Sequence, residues 1–436
     1  MKDKIGIGLL GLGTVGSGVI DILRRNGELI KRRVGVPVEV IKILRKDSNK
    51  PVPADMPRNI ITTDIKEIID NPDIDIVVEV MGGFEPAKGY ILNAIENGKN
   101  VVTANKALLA INGEELYSAA SERGVDLYFE GSVCGGIPVI KALREGLAAN
   151  KIESIYGIVN GTSNFIITKM THEGKGFGDA LRETQALGYA EADPTFDIEG
   201  IDAAHKLSIL VNIAFGTPVD FKEIYTEGIS GISPMDINYA KEFNFRVKLL
   251  AISKMKNGSV EARVHPTLVP CSHLIATVDG VFNAVYITGD AVGPTLFYGK
   301  GAGDLPTGSA VVSDIIDVAR NILKGGNGRI PPASFREENR IPLKILNIDD
   351  IVSMYYFRFT VLDMPGVLSR ISGILGEHKI SIASVIQKGR QEGGNVPLVM
   401  MTHEAVERNV KNALLEIDRL PVVSEKTVMI RVEEGK

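Results

Sequence analysis

The chain has 436 residues, 44% of them hydrophobic and 24% charged, with a formal net charge of -5 and a pI near 5.8. This length allows about three domains of ordinary size, and the acidic balance without a basic cluster argues against a nucleic-acid partner. Two cysteines cannot build a disulfide framework or a cysteine metal site, so we expect a reducing, cytoplasmic location.

The apolar N-terminal run of residues 5–20 superficially resembles a signal peptide. Glycines interrupt it, no small-residue cleavage pattern follows, and it is shorter than the roughly 20 residues that span a bilayer. We therefore expect a buried strand and turn in this region, and neither secretion nor a membrane partner.

The first predicted elements are a strand, a glycine turn and a helix. Residues 5–10 form a short apolar run, and a helical pattern to about Arg25 opens with Gly11, Leu12, Gly13, Thr14, Val15 and Gly16. In this dinucleotide fingerprint the three glycines permit the tight turn, the approach of a pyrophosphate and close helix packing. The pyrophosphate would lie at the helix N-terminus, where amide N–H groups and the helix dipole favour anions. The sequence therefore predicts an NAD or NADP site here.

A second strand is predicted at residues 38–44, and the residues that follow it bear on the choice of dinucleotide. Arg45 could hold the 2′-phosphate of NADP, whereas Asp47 keeps NAD open. Charged residues at a solvated strand end are equally typical. The sequence leans toward NADP and leaves both cofactors possible.

Three further strands alternate with helical patterns along the next hundred residues. The strands are predicted at 74–80, 100–103 and 126–130, and the helices near 64–70, 85–97 and 112–123. This alternation predicts an α/β fold with a Rossmann-type doubly wound sheet, which binds ligands beyond the carboxyl ends of its strands. Lys106 follows such an end. A lysine at a helix start opposes the helix dipole, so we expect it to have an anionic or functional partner, the alternative being a surface lysine.

Residues 131–138 form a glycine-rich turn that heads a helix and contains Cys134. A thiol near a helix N-terminus can have a lowered pKa and act as a nucleophile. No histidine stands near it in the sequence, however. This absence favours the interpretation of Cys134 as a small buried thiol.

Residues 186–211 carry the most chemistry in the chain. Gly188 ends one helical pattern, the Asp193-Pro194 pair forces an extended turn, and a second helix begins near Gly200. The loop between the helices is acidic, since it also carries Glu191 and Asp197.

Asp202 and Lys206 are four residues apart on that second helix and therefore share one face. Several carboxylates around one lysine suit a site that holds an ammonium-bearing substrate and moves a proton. The alternative is a surface ion pair beside an acidic loop, which is common and weak.

A second, open sheet with covering helices is predicted beyond residue 150. Its strands are predicted at 152–160, 262–269, 284–288 and 291–298, and its helices at 163–172, 179–187 and 200–215. A glycine turn around Gly303 then leads a long helix, about 308–323, that could return to the first domain.

The C-terminal part of the chain follows a glycine- and proline-rich linker. Its pattern is strand, helix, strand, strand, helix, strand, at residues 354–362, 366–377, 380–387, 396–402, 404–418 and 426–432. This order predicts a ferredoxin-like βαββαβ unit. Asp363, Gly366 and Val367 lie at its first strand-to-helix turn, where a carboxylate and exposed backbone N–H groups could bind an amino acid.

Taken together, the chain resembles homoserine dehydrogenase with a C-terminal ACT regulatory domain, over nearly its whole length. The matching motifs are residues 11–16, 103–106, 160–164, 188–194, 200–206 and 301–303. The resemblance implies interconversion of L-homoserine and L-aspartate 4-semialdehyde with NAD(P), on the route to threonine, methionine and isoleucine. It also implies the domains 1–130 (Rossmann, with a return helix about 305–324), 131–304 (catalytic and dimerisation), 325–345 (linker) and 346–436 (ACT).

The resemblance also implies the roles of individual residues. Lys206 would be the acid/base residue, and Lys106 would lie beside the nicotinamide and substrate. Glu191 would bind the substrate ammonium, and Asp202 would orient the substrate or Lys206. Phe196 departs from relatives that carry a second acid there, which weakens a role for Asp197.

Further binding properties follow from the same resemblance. Family members hold a sodium ion on backbone carbonyls of the segment that matches Glu130, Val133, Gly135 and Ile137. They are usually dimers or tetramers, so we expect at least a homodimer, and threonine is the expected effector of the ACT domain. Gly188 would belong to the substrate site, and Gly303 to the cofactor site.

Two other functions remain open at this point. An aldehyde dehydrogenase could form a thioester at Cys134 and produce an acyl phosphate or acid instead of an alcohol. A non-catalytic amino-acid sensor could retain the dinucleotide fold without activity. Complete loss of activity on alkylation with iodoacetamide, with protection by substrate, would favour the first. Failure to oxidise NADPH with aspartate semialdehyde would favour the second.

Overall fold

The computed structural model describes residues 2–47, 56–389 and 394–434. Its strands, in chain order, are β1 Ile5–Leu10, β2 Val38–Leu44, β3 Ile61–Thr62, β4 Ile76–Glu79, β5 Asn100–Thr103, β6 Leu127–Tyr128, β7 Ile152–Ile158, β8 Tyr225–Thr226, β9 Phe245–Lys256, β10 Ser259–Pro270, β11 Phe282–Gly289, β12 Gly293–Lys300, β13 Lys344–Ile345, β14 Val352–Leu362, β15 Ile382–Gln387, β16 Asn395–Thr402, β17 Ala405–Val406 and β18 Val428–Val432.

The α-helices are numbered in the same way. They are α1 Thr14–Arg25, α2 Gly27–Val34, α3 Lys66–Ile69, α4 Ala87–Glu96, α5 Lys106–Arg123, α6 Val139–Lys141, α7 Gly161–Glu173, α8 Phe177–Ala186, α9 Thr195–Ile198, α10 Ile201–Phe215, α11 Pro234–Glu242, α12 Asp304–Lys324, α13 Val367–Glu377 and α14 Glu407–Ile417. Within the described ranges, none of these helices combines the length and the apolar character that a membrane span requires.

The chain divides into two compact units. The first comprises Met1–Gly161, Asp202–Ile224 and Phe282–Leu343, and the second comprises Thr162–Ile201, Tyr225–Val281 and Lys344–Lys436. Each unit therefore combines segments that are distant in the sequence.

The first unit contains a six-stranded parallel sheet in the order β3-β2-β1-β4-β5-β6. β1, β4 and β5 are buried along their whole length, as expected for strands covered on both faces. Their parallel direction brings the residues after Leu10, Glu79 and Thr103 to the same edge of the sheet. The predicted Rossmann-type fold is confirmed. A separate antiparallel group, β7-β11-β12, lies in the same unit.

Helix α12 packs against α1, and both helices share one apolar core with this sheet. Val311, Ile315 and Ala319 of α12 are buried in one apolar cluster with Val19 and Leu23 of α1.

The two helices approach so closely because glycines face each other at the crossing. A Cβ added at Gly18 would stand 2.1 Å from the carbonyl oxygen of Asp304, and one added at Gly308 would stand 2.8 Å from the carbonyl carbon of Gly18.

We expect the substitution Gly18→Ala to lower the free energy of unfolding by about 1–3 kcal/mol, because its methyl group would force the two helix backbones apart. Gly27→Ala is the matched control, since Gly27 is also a helical residue and no atom lies within 4 Å of a Cβ there. Urea denaturation of both variants measures the difference. Equal stability of the two variants would contradict the close packing of α1 and α12.

The second unit contains a sheet in which β9, β10, β18, β14, β16 and β15 are neighbours in that order. Within it, β14, α13, β15, β16, α14 and β18 form the predicted ferredoxin-like unit with the strand order β18-β14-β16-β15. Its core is apolar and contains Phe357, Phe359, Ile371 and Ile417. β18 also runs parallel to β10, with Arg431 opposite Thr267.

Several element boundaries differ from the sequence predictions. Helix α5 begins at Lys106 rather than near 112, because the Asn105 side chain caps it by accepting a hydrogen bond from the N–H of Leu108 at 3.2 Å. The strands predicted at 74–80 and 126–130 are shorter, Ile76–Glu79 and Leu127–Tyr128. Strand β9 and helix α11 were not predicted, although the Ser233–Asp236 capping box marks the start of α11.

Candidate active site

A cavity of about 440 Å³ lies at the carboxyl edge of the parallel sheet. The turn after β1 contributes Gly11, Leu12 and Gly13 to its lining, and the end of β2 contributes Arg45. The sequence-predicted fingerprint and Arg45 are therefore brought together. The remaining lining residues are Leu44, Lys46, Asp47, Thr63, Val80, Met81, Gly82, Glu85, Pro86 and Tyr90.

The glycines of the fingerprint have the geometry that a dinucleotide requires. Gly11 has a φ of 103°, and a Cβ added at Gly16 would stand 2.3 Å from the carbonyl oxygen of Gly11. Nothing lies within 4 Å of a Cβ position at Gly13, so its backbone is open to a ligand. Thr14 and Val15 form the first turn of α1, whose amide N–H groups favour an anion. Gly303, with a φ of 127°, instead precedes α12.

A buried polar network connects the cavity wall to the start of α5. Glu79, fully buried at the end of β4, accepts hydrogen bonds from the N–H groups of Met81 and Gly82 at 2.8 and 3.1 Å. Its other oxygen accepts from the Thr103 hydroxyl at 2.6 Å. The Asn105 amide then donates to the carbonyl of Gly83 at 2.7 Å. Lys106, the next residue, is thereby held at a fixed position relative to the cofactor cavity.

The three predicted catalytic residues meet in one cluster. The Lys206 ammonium donates to Asp202 Oδ2 at 2.6 Å and to the carbonyl of Val159 at 2.7 Å. Lys106 Nζ lies 2.7 Å from the other carboxylate oxygen, Asp202 Oδ1. The side chain of Asp202 is 2% exposed and that of Lys206 10%, whereas that of Lys106 is 40% exposed. This burial excludes the alternative of a surface ion pair.

The electrostatics of the cluster keep Asp202 ionised. Burial by itself raises the pKa of this carboxyl, but the charges of Lys206 and Lys106 outweigh it and hold the pKa well below its ordinary value of 3.8. The amide of Asn160 adds a hydrogen bond to Asp202 Oδ2 at 2.8 Å. One carboxylate is thus shared by two ammonium groups, an arrangement that suits proton transfer to a substrate oxygen.

Asn160 and Val159 contact this cluster, although the site residues predicted from the sequence do not include them. Both follow strand β7, which ends at Ile158. The signals in the sequence are the matching motif at residues 160–164 and the position of Asn160 after a strand and before the N-terminus of α7. Without the fold, nothing connects this position to Asp202.

Cys134 is fully buried and its backbone φ is 56°. Burial raises the pKa of its thiol to about 11, despite the opposing charge of Lys206 and a hydrogen bond with Asn283. A thiol in this environment is not an activated nucleophile. The thioester mechanism is therefore not favoured.

The segment with the predicted sodium ligands is buried in the first unit. The Glu130 carboxylate accepts from the N–H groups of Ile140 and Lys141 at 2.9 and 2.7 Å, and burial, followed by the charge of Asp314, raises the pKa of this carboxyl above its ordinary value. Cys134 and Gly135 both have positive φ, so the chain turns tightly there. Of the predicted carbonyl ligands, that of Ile137 accepts from the N–H of Val139 at 2.8 Å; Val133 is fully buried.

The predicted substrate residues Gly188, Glu191 and Asp197 belong to the second unit. Gly188 and Glu191 are exposed on the segment after α8, and the Gln185 amide donates to the carbonyl of Glu191 at 3.0 Å. Asp197 is half-buried in the short helix α9. Gly188 has a φ of 76°, as expected after a helix end.

The predicted effector turn also lies in the second unit. Asp363 is half-buried, and its N–H donates to the carbonyl of Gly394 at 2.9 Å. Gly366, with a φ of 88°, precedes α13, and Val367 begins that helix. Among the residues that the structure describes, no group of three or more His, Cys, Asp and Glu side chains could hold a metal ion.

Family models match three parts of the chain. The model described as "Homoserine dehydrogenase, NAD binding domain" matches residues 11–130, and the model described as "Homoserine dehydrogenase" matches residues 138–316. The "ACT domain" model matches residues 355–422.

Known proteins are similar to most or nearly all of the chain. Homoserine dehydrogenases from Pseudomonas aeruginosa and Neisseria gonorrhoeae are 49% and 48% identical over 429 residues, with 98% of each chain covered. The crystal structure of a homoserine dehydrogenase from Thiobacillus denitrificans aligns with a TM-score of 0.94 at 48% identity, covering 99% of this chain and 98% of that one. A hyperthermophilic archaeal homoserine dehydrogenase in complex with NADPH aligns with a TM-score of 0.61 at 29% identity, covering 74% and 98%.

Proposed function

The chain belongs to the homoserine dehydrogenase family, and from this premise we propose how its residues carry out the reaction. It is an NAD(P)-dependent oxidoreductase that acts on a CH–OH group and interconverts L-homoserine and L-aspartate 4-semialdehyde. The observation that carries the proposal is the buried cluster of Lys206, Asp202 and Lys106. Absorbance of NADPH with aspartate semialdehyde as substrate, compared between the wild type and variants of these residues, tests it.

Lys206 is proposed to be the proton donor in the reductive direction. A bound nicotinamide supplies the hydride, and the aldehyde oxygen of the substrate then needs a proton to become a hydroxyl. An ammonium within about 3 Å of that oxygen can donate it. In the oxidative direction the same amine accepts the proton, so oxidation improves as the pH rises.

Asp202 is proposed to orient both ammonium groups. Its two oxygens face Lys206 and Lys106 separately, and Asn160 holds the carboxylate in place. Lys106 is tied to the wall of the cofactor cavity through Asn105 and Thr103. This connection supports a position of Lys106 beside the nicotinamide and the substrate.

For the substrate itself, we keep the assignment of its ammonium group to Glu191, with Gly188 shaping the loop. The exposure of both residues supports this assignment, since the Glu191 side chain is accessible to a ligand. A contribution of Asp197 has weaker support because Phe196 replaces the neighbouring acid of some relatives.

NADP is the proposed cofactor. Arg45 lines the cofactor cavity beside Gly13, where a guanidinium could bind a 2′-phosphate with two hydrogen bonds. The archaeal relative with a bound NADPH supports the same choice. Asp47 lines the cavity too, so NAD is the competing cofactor.

We expect Arg45→Ala to raise the KM for NADPH about tenfold or more, because a hydrogen bond to a charged group contributes about 1.5–3 kcal/mol. The KM for NADH should change less than about threefold. Steady-state kinetics with both cofactors measures the difference, and Arg25→Ala at the exposed end of α1 serves as the control. An equal rise for both cofactors would exclude a contact with the 2′-phosphate.

A sodium ion on the carbonyls of Glu130, Val133, Gly135 and Ile137 stays a proposal. The tight turn at Cys134 and Gly135 and the hard oxygen donors support it. The Glu130 carboxylate faces the amides of Ile140 and Lys141, so this residue would contribute its main-chain oxygen. Such an ion would stabilise the conformation of the turn.

The ACT domain is proposed to bind threonine at Asp363, Gly366 and Val367. The protein is proposed to be at least a homodimer. The half-buried carboxylate and the N-terminus of α13 could bind the amine and the carboxylate of the amino acid. We also propose the domain boundaries predicted from the sequence, and a cytoplasmic location, which the two free cysteines support.

We expect Asp363→Ala in the full chain to weaken inhibition by threonine about tenfold or more, because the amine would lose its charged partner. The concentration of threonine that halves the rate measures the effect. Asp350→Ala, in a surface pair with Arg408, is the control. Unchanged inhibition in Asp363→Ala would remove this turn as the effector site.

A further inference from the structure

The catalytic cluster depends on two helices that are far apart in the sequence. Lys106 is the first residue of α5, whereas Asp202 and Lys206 lie in α10. The distance of 2.7 Å between Lys106 Nζ and Asp202 Oδ1 therefore requires a fixed spacing between the two helices. Residues outside the cluster can fix this spacing.

Apolar packing does not fill the space between the two helices. A cavity of about 350 Å³ is lined by Leu109, Ala110 and Gly113 of α5 and by Ser208 and Ile209 of α10. Residues 218–222 line the same cavity, and the void keeps these faces of α5 and α10 from packing directly against each other. Polar contacts at the border of the cavity are therefore more important for the spacing of α5 and α10.

One such contact joins both helices at the border of the cavity. Arg340 donates to Glu114 of α5 with both terminal nitrogens, at 2.6 and 2.8 Å. Its Nη2 also reaches the side-chain oxygen of Asn212 of α10 at 3.2 Å, and the Asn212 amide donates to Glu114 Oε1 at 2.6 Å. We call these three residues the Arg340 clamp. The Arg340 side chain is 10% exposed and that of Glu114 is 49% exposed, so the guanidinium is shielded from water although its carboxylate partner is not.

The segment that carries Arg340 is itself attached to the first unit on both sides. Upstream, the Ser118 hydroxyl of α5 donates to Glu337 at 2.5 Å. Downstream, the N–H of Leu343 donates to the hydroxyl of Thr217, just after the end of α10, at 2.8 Å. The guanidinium is thus presented from a fixed backbone rather than from a free loop.

The clamp acts at a distance along each helix from the catalytic groups. Glu114 lies about 12 Å along α5 from Lys106, and Asn212 lies about 9 Å along α10 from Lys206. A rigid helix transmits a displacement at one end to the other. Release of the clamp should therefore change the relative position of Lys106 and Asp202.

We propose that Arg340 is a positioning residue for catalysis, which holds α5 and α10 at the spacing that the contact of Lys106 with Asp202 requires. This inference rests on the proposed roles of Lys106, Asp202 and Lys206. Arg340 itself touches neither substrate nor cofactor in this assignment. Its effect on the reaction is through the two helices.

The test compares Arg340→Met with Arg336→Met, an exposed arginine of the same segment. We expect Arg340→Met to lower kcat about tenfold at a temperature well below its melting midpoint, since small misplacements of reacting groups cost this much or more. Arg336→Met should stay within about twofold of the wild type. Arg340→Lys keeps the charge without the two parallel hydrogen bonds and should recover part of the loss.

A double-mutant cycle separates a clamp from two independent contacts. Glu114→Gln should reduce kcat as Arg340→Met does, and the double variant should be no slower than either single variant, because both remove the same clamp. A kcat of Arg340→Met within about twofold of the wild type, with only the melting midpoint lowered, would overturn the proposal. Multiplied losses in the double variant would overturn it as well.

Lys206→Ala, measured in parallel, separates a failure of the positioning role of Arg340 from a failure of the catalytic role of Lys206. If Lys206→Ala is inactive and Arg340→Met is not impaired, the positioning role fails and the catalytic assignment stands. If Lys206→Ala is fully active, the catalytic assignment fails first. Should Arg340→Met not fold, the comparison of Arg340→Lys with Glu114→Gln decides the question in the same way.

Discussion

Replacing Lys206 with alanine is expected to lower kcat by about 10²–10⁴ while the fold is retained, because general acid catalysis typically contributes that factor. The ammonium of Lys206 is the buried donor of the cluster, held by Asp202 at 2.6 Å and by the Val159 carbonyl at 2.7 Å. Alanine removes the donor without adding bulk. The measurement is the oxidation of NADPH with aspartate semialdehyde, with the circular dichroism spectrum as a check of the fold.

Two further variants identify the chemical reason for this loss. Lys206→Arg keeps a positive charge but does not release a proton near neutral pH, so it should remain nearly as inactive as the alanine variant. Lys31→Ala removes an exposed lysine of α2 and should retain full activity. If Lys206→Ala retained activity within about tenfold of the wild type, another group would have to donate the proton.

The second large effect is expected for Asp202→Asn. The substitution keeps the shape of the side chain but removes the charge shared by Lys206 and Lys106, so two ammonium groups would lie close together without compensation. We expect kcat in the reductive direction to fall about 10²-fold, as both groups lose their orientation. We also expect a loss of about 3 kcal/mol in the free energy of unfolding, because a buried charge pair is broken on one side only.

The pH dependence of this variant has a definite sign. An ammonium without its carboxylate partner gives up its proton more readily, so the decline of the reductive rate at alkaline pH should begin at a lower pH than in the wild type. The wild-type carboxylate does not itself titrate in that range. Its pKa in the folded state lies below 3.8, so its stabilising contribution is complete above that value and is lost only as the pH falls through the folded pKa.

Asp179→Asn is the matched control for Asp202→Asn. Asp179 also pairs with a basic residue of its own helix, Arg182, but both side chains are mostly exposed, at 63% and 74%. Its substitution should change neither kcat nor the pH profile, since exposed pairs contribute little. An unchanged pH profile in Asp202→Asn would show that the carboxylate does not set the pH dependence of the reaction.

Some features of this protein follow from contiguous residues and could be predicted without a fold. The apolar run Ile5–Leu10, the glycine turn and the helix after it are local, and so is the spacing of Asp202 and Lys206 on one helix face. The order of elements in the C-terminal unit is local as well. Hydrogen bonds within helices, turn conformations and side-chain periodicity depend on neighbours in the chain, which explains why these predictions of the fold are confirmed.

Other features were decided only by the tertiary structure. Lys106 and Asp202 are distant in the sequence, and their contact depends on the parallel sheet that places α5 and on the helix α10 that meets it. The same is true of the burial that raises the pKa of Cys134 to about 11, and of the hydrogen bond from Asn160 to Asp202. These properties arise from desolvation and from charges of other segments. A local pattern therefore identifies the reactive groups, but only the packing of distant segments determines which of them meet and how each is ionised.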